Sequence, residues 1–315
     1  MPARRRPATL AFVTNFSSND VSVINTSNNT VIATVPVGSG PFGVAMKPDG
    51  TRVYVTNDSG NSVSVIDTSN NTVVTTVGVG LGPAGVAVKP DGTRAYVTNG
   101  NSADNTLSVI DTSTNTVVAT VPVGTAPVGV AVKPDGTRVY VANDYDSTVS
   151  VIDTSSNTVV TTIPLGENQN PLGITVKPDG TRVYVADQGI NAVTGNVAVI
   201  DTSNDTVLTT VPIGTGYPVA VAVKPDGTRL YVTNNPESTL LVIDTSNNTV
   251  LSVVPVGSIP FGVAVTPDGR RVYVPTETDN SVSVIDTSSN TVVDTVSVGT
   301  LPQGFGNFIG TVRRQ

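Results

Sequence analysis

Six copies of one phrase constrain this chain more than any other feature. KPDGTRVYVTN stands at residues 47–57, close copies fill 89–99, 133–143, 177–187 and 224–234, and a sixth, TPDGRRVYVPT, covers 266–276. The turn aspartates Asp49, Asp91, Asp135, Asp179, Asp226 and Asp268 recur at intervals of 42, 44, 44, 47 and 42 residues. Such a period marks a supersecondary unit whose apolar face is buried by the next copy. Each unit holds four short apolar or alternating runs, named here A (GVAVK), B (RVYVTN), C (VSVIDT) and D (TVVTTVPV). Pro-Asp-Gly turns A into B and Ser-Asn-Asn turns C into D, both by tight-turn chemistry. Four antiparallel strands at this spacing predict the blades of a propeller.

The ends set the blade count. The chain opens on a B strand (LAFVTN, 10–15) followed by C and D, and it closes on LPQGFGNFIGT, which aligns with strand A. Strand B occurs seven times, at Phe12, Tyr54, Tyr96, Tyr140, Tyr184, Tyr231 and Tyr273. The expectation is an all-β, seven-bladed β-propeller with four antiparallel strands per blade, closed by one C-terminal and three N-terminal strands. It forms one domain over 1–315, with 1–7 and 311–315 as terminal extensions. Blades are numbered from the N-terminal strands. Pairing B with C puts Arg52 beside Asp67, Arg94 beside Asp111, Arg138 beside Asp153, Arg182 beside Asp201, Arg229 beside Asp244 and Arg271 beside Asp286. Blade 1 carries Leu10 and Asn25 at these places. Both partners are lost together, as a cross-strand ion pair requires.

Composition narrows the chemistry. Histidine and cysteine are both absent. That removes Ser-His-Asp and Cys-His catalysis, imidazole and thiolate metal sites, and disulfides. Asp, Glu, Tyr, Lys and Arg remain as titratable groups. No run of about 20 apolar residues offers a membrane span. The start, MPARRRPATL, is basic but has no apolar core, so it is not a complete secretory signal.

The strand directions place the A–B and C–D turns on one face, the bottom, and the variable B–C and D–A loops on the other, the top. Every lysine falls in a bottom turn, and the arginines fall at the start of B or at the termini. The top loops carry Asp20, Asp58, Asp104, Asp144, Asp146, Glu167, Asp187, Glu237, Glu277 and Asp279 and no basic residue. With a net charge of −7, the top is expected to be an acidic face that draws cations and repels phosphate backbones. Six of the eight tyrosines are B-strand residues; the other two, Tyr145 and Tyr217, are in top loops. The ligand-binding candidates are therefore Asp144, Tyr145, Asp146, Glu167, Asp187, Tyr217, Glu277 and Asp279. Clustered carboxylate oxygens suit calcium, and Asp144 with Asp146 is the candidate pair; otherwise no cofactor is expected. Phe42 and Phe261 are read as blade-to-blade packing. The asparagines of the Asn-x-Thr sequons at Asn28, Asn70, Asn204 and Asn247 are read as turn residues.

The units YVTN (54–57, 96–99, 231–234), with the variants FVTN, YVAN, YVAD and YVPT, resemble the YVTN family of β-propeller repeats over essentially the whole chain. That family includes surface-layer-like and YncE-like proteins. The resemblance implies the fold, and it implies a cell-surface, periplasmic or secreted protein, although the chain shows no signal peptide and the cytoplasm stays open. The first functional reading is a non-enzymatic binding scaffold, monomeric, that recognises a carbohydrate, a small cationic ligand or a basic protein surface through its acidic top loops. Nucleic acid is disfavoured. The alternative reading is a histidine-free enzyme, carboxylate-based or metal-dependent: a glycoside hydrolase, polysaccharide lyase or lactonase-like protein, with Glu167 and Asp144 or Asp187 as its carboxylates.

Overall fold

The computed structural model describes residues 7–167, 169–189 and 195–312. The basic termini singled out above (Arg4, Arg5, Arg6, Arg313 and Arg314), and part of the long loop after Asp187, lie outside the described residues. Seven four-stranded antiparallel sheets surround a central channel, so the chain is a seven-bladed β-propeller. In blade 2 the strands Pro41–Met46, Arg52–Asn57, Ser62–Asp67 and Thr72–Gly78 run in order from channel to rim. Blade 1 joins Ile309–Val312 to Ala8–Asn15, Asp20–Asn25 and Thr30–Pro36, which closes the ring as expected. Among the described residues no helix is long and apolar enough to cross a membrane.

The closing strand differs from its expected alignment. In blade 2, Val53 pairs with Met46, whereas the equivalent Ala11 pairs with Ile309. Counting from the Pro-x-Gly starts Pro41 and Pro302, the last inner strand carries two extra residues. They swing Phe308 into the core, where it is fully buried, and its carbonyl accepts the Phe12 N–H at 2.8 Å. The ladder takes in Thr311 and Val312, which the sequence reading assigned to a terminal extension.

The repeated phrase is explained residue by residue. The B-strand tyrosines, and Phe12 in their place in blade 1, are fully buried between blades. In three blades the tyrosine hydroxyl donates to the C–D turn of a neighbour, as from Tyr273 to Asn29 at 2.6 Å. The threonine is a bolt. Thr56 Oγ1 accepts the Gly43 N–H of its own blade at 2.7 Å and donates to the Ala84 carbonyl of the next at 2.7 Å. Thr98 repeats this with Gly85 and Val128, Thr233 with Ala220 and Phe261, and Thr14 with Gly304 and Phe42. The inner glycine is required by crowding: a Cβ at Gly43 would lie 2.2 Å from the Ala84 carbonyl oxygen. The asparagine is buried, and Asn57 Nδ2 donates to Ser62 and Ser64 of strand C.

Five of the six foreseen ion pairs form: Arg52–Asp67 at 2.7 Å, Arg94–Asp111 at 2.6 Å, Arg138–Asp153, Arg182–Asp201 at 2.9 Å and Arg229–Asp244 at 3.1 Å. Arg271 and Asp286 face each other across the ladder without direct contact, and Leu10 pairs with Asn25. Each bottom lysine lies 2.8–3.1 Å from its own turn aspartate, so the cations of this face are largely matched locally. Phe42 and Phe261 pack between blades, as expected, and they do so at the channel. They converge with Phe305 at ring-centre separations of 5.4, 5.3 and 6.1 Å and form an apolar cluster with Val128, Ala220 and Val263 at the channel.

The bolt yields a prediction. Thr56→Val keeps the shape but strands a buried N–H and a buried carbonyl, so stability should fall by about 2–4 kcal/mol. Urea denaturation measures it, and a loss below about 1 kcal/mol would show that the bolt holds nothing.

Candidate functional site

The top face is built from seven equivalent corners. Immediately after each buried B-strand residue at the Asn position, the next backbone N–H bonds to the D–A loop of its own blade, as from Asp58 to Gly40 at 2.8 Å and from Asp144 to Ala126 at 3.0 Å. The side chains at this column are Phe16, Asp58, Gly100, Asp144, Gln188, Asn235 and Glu277, so three carboxylates are presented at equivalent places. Burial raises all three above the usual carboxylate range; the Asn170 amide opposes the shift at Asp144, and the Gln303 amide opposes it at Glu277.

Blades 4 and 5 break the pattern. Asp187 stands where the other B strands mostly carry a buried asparagine, and Ala198 replaces the serine that would serve it. Asp187 is only 1 % exposed. Its Oδ1 accepts the Asn170 N–H at 2.9 Å and the Gly189 N–H at 3.2 Å, and Oδ2 has no partner among the described residues. Burial pushes its carboxyl up to about 6, and the nearby Asp144 charge adds to this, while the backbone donors and the Asn196 amide oppose it. Asn170 also donates its Nδ2 to Asp144 Oδ1 at 3.0 Å. One asparagine therefore fixes both carboxylates, one through its backbone and one through its side chain. A second link crosses the same seam, from Ser147 Oγ to the Gln169 carbonyl at 2.6 Å, and Gln169 in turn accepts from Asn196 Nδ2 at 3.1 Å.

The remaining candidates take other places. Asp146 accepts the Thr125 N–H at 2.5 Å and Asp279 the Ser258 N–H at 2.7 Å; Asp104 does the same for Leu81 at 2.7 Å. These aspartates tie a B–C loop to the D–A loop of the same blade. Asp144 and Asp146 are thus hydrogen-bonded to different loops, and among the described residues no three acidic side chains gather closely enough to hold a metal ion. Glu167 is exposed and contributes only its carbonyl, to Gln169 Nε2 at 3.3 Å. Tyr145 is 68 % exposed, and Tyr217 opens the inner strand of blade 6 opposite Asn235. Glu277 meets Gln303, itself buried at the channel edge. Asn170 and Gln169 escaped the sequence reading. Their signal is columnar: the residue before the inner-strand proline is Gly40, Gly82, Ala126, Asn170, Tyr217, Ile259 or Leu301, and only blade 5 puts an amide there.

A family model described as "Lactonase, 7-bladed beta-propeller" matches residues 12–163, and one described as "SMP-30/Gluconolactonase/LRE-like region" matches residues 105–256. Asp144 falls in both windows, and Asn170 and Asp187 fall in the second. No curated protein matches the chain. Among solved structures, Kuenenia stuttgartiensis hydrazine synthase is 23% identical with a TM-score of 0.78, covering 87% of this chain and 95% of that one. A functionally unknown protein from Desulfotomaculum acetoxidans DSM 771 is 20% identical with a TM-score of 0.80, covering 97% and 99%. At these identities the two structures speak to the fold alone. The family matches support a β-propeller family and point to an enzyme, which corrects the expectation of a non-enzymatic scaffold.

The buried Asp187 has a measurable signature. Its carboxyl is raised from 3.8 to about 6 in the folded protein, so between those values the native state holds a proton that the unfolded chain releases. Stability must therefore fall as pH rises through this window, by about 3 kcal/mol. Asp187→Asn, which restores the residue usual in the repeat, removes the titration. The variant should melt with the parent near pH 4 and above it from pH 6 upward; parallel melting curves at every pH would refute the assignment.

Proposed function

We propose that this chain is a hydrolase that opens a cyclic ester at the top of blades 4 and 5, with Asp144 as general base and Asp187 as the residue that positions it. The carrying observation is the double grip of Asn170, which accounts for Asp187 Oδ1 and Asp144 Oδ1, while the second oxygen of the half-buried Asp144 has no hydrogen bond among the described residues. The two family descriptions, both named for lactone-handling proteins, support this reading. The YVTN-type repeat supplies its scaffold.

The chemistry follows from proton affinities. An ordinary exposed carboxylate is a weak base for water; burial strengthens Asp144 by disfavouring its charge. A water bonded to that second oxygen gives its proton to Asp144 as its own oxygen attacks the acyl carbon. The ring C–O bond then breaks, and the departing alkoxide takes the proton back from Asp144, giving the open hydroxy acid. Proton and electron pairs balance without a redox partner or an imidazole. Asp187 touches no reacting atom: it holds the Asn170 backbone, and Asn170 aims Asp144.

Purified protein should hydrolyse unphosphorylated γ- or δ-lactones, followed by pH-stat titration. Asp144→Asn should lower kcat/KM by about 10²-fold or more with the fold intact by circular dichroism. Asp187→Asn should act differently, with a smaller fall in kcat and loss from the pH profile of the ionisation near 6. Full activity in Asp144→Asn would overturn the reading.

A further inference from the structure

Blade 3 has the smallest residues at two positions of the repeat that matter on the top face. Where other blades place Phe16, Asp58, Asp144, Gln188, Asn235 or Glu277, blade 3 has Gly100. At the middle of Pro-x-Gly, where others carry Phe42, Val128, Leu172, Phe261 or Gln303, it has Ala84. The two omissions leave a hollow of about 600 Å³ over the seam between blades 2 and 3. Phe16, Phe42 and Val128 supply its apolar wall, and Asp58, Asn61 and Asn101 its polar one. Its size suits a small organic molecule.

Asp58 gives the hollow a sign. Unlike Asp144 or Glu277, its carboxylate receives no hydrogen bond among the described residues, and burial alone accounts for its raised proton affinity. Among the described residues no salt bridge reaches it, and no top loop contains lysine or arginine. A partly desolvated anion beside aromatic rings is the arrangement that draws an ammonium group, held by charge and by ring faces together. The surrounding carboxylates of the top loops add an attractive field of the same sign.

We propose that this hollow binds an organic ammonium ion with an apolar body, the charge at Asp58 and the body between Phe16, Phe42 and Val128. The site is separate from Asp144 and Asp187 and does not depend on the hydrolase reading. An anionic ligand of the same shape is excluded by the same charges.

Calorimetric titration with 2-phenylethylammonium chloride, 2-phenylethanol and 3-phenylpropionate tests it. The ammonium should bind at one site per chain, at least about tenfold tighter than the alcohol, and the carboxylate should not bind. Asp58→Asn should reduce the ammonium to the alcohol's affinity, Asp58→Glu should retain part of the gain, and Phe16→Ala should weaken both ligands. Added salt should weaken the ammonium and leave the alcohol unchanged. Asp144→Asn should leave binding intact. Equal affinity for alcohol and ammonium, binding unaffected by Asp58→Asn, or preferential binding of a neutral methyl glycoside in the hollow would each overturn the proposal.

Discussion

Everything in this ring depends on how closely neighbouring inner strands approach. A Cβ at Gly43, Gly85, Gly129 or Gly262 would lie 2.1–2.4 Å from a carbonyl oxygen of the next blade, so glycine is the only residue that fits. That approach brings the carbonyl within reach of the B-strand threonine, which joins an N–H of one blade to a carbonyl of the next. The repeated phrase is thus a set of joint parts. The arginine and aspartate fasten B to C within a blade, the tyrosine fills the seam, and the threonine spans it. Backbone geometry that must recur seven times forces sequence that recurs with it.

Function can enter such a molecule only where a joint part is released. Blade 5 exchanges a buried amide for a buried acid and simultaneously loses the serine that served the amide. Asn170, standing where other blades carry no amide, then supplies new donors. These changes are mutually dependent, since an aspartate at 187 without Asn170 would leave a buried charge with little support. Blade 3 departs in the opposite sense, by deletion of side chains, and gains a hollow instead of a buried acid.

The period, the turn chemistry and the paired replacement of arginine and aspartate by Leu10 and Asn25 made the blade count and the B–C register legible, because these depend on residues close in sequence or strictly periodic. The extra pair of residues before Phe308 was not legible, since the inner-strand pattern tolerates a shift that only pairing with Ala11 reveals. Charge alone drew attention to Asp144, Asp146, Asp187 and Glu167 equally. What separates them is which backbone N–H each meets: Thr125 claims Asp146, and Asn170 claims Asp187. Asn170 lies 26 positions from Asp144 and 17 from Asp187, and contact between the three arises only when blades 4 and 5 are set side by side. The aromatic cluster at the channel was hidden for the same reason: Phe42 and Phe261 meet only through ring closure.

The threonine is not present in every blade. Ala142, Ala186 and Pro275 occupy its position in blades 4, 5 and 7. Threonine bolts therefore couple blades 1 through 4 into one arc and blades 6 and 7 into another. Blade 5 hangs between the two arcs, joined on one side by Asn170, Ser147 and Gln169 in place of the usual bolt. The bolt is thus missing from three seams, those between blades 4 and 5, 5 and 6, and 7 and 1. Two of the three flank the blade that carries Asp187, so the sector with the most unusual acid is also the one where both joints do without the common fastener, and the first of them is rebuilt from other parts.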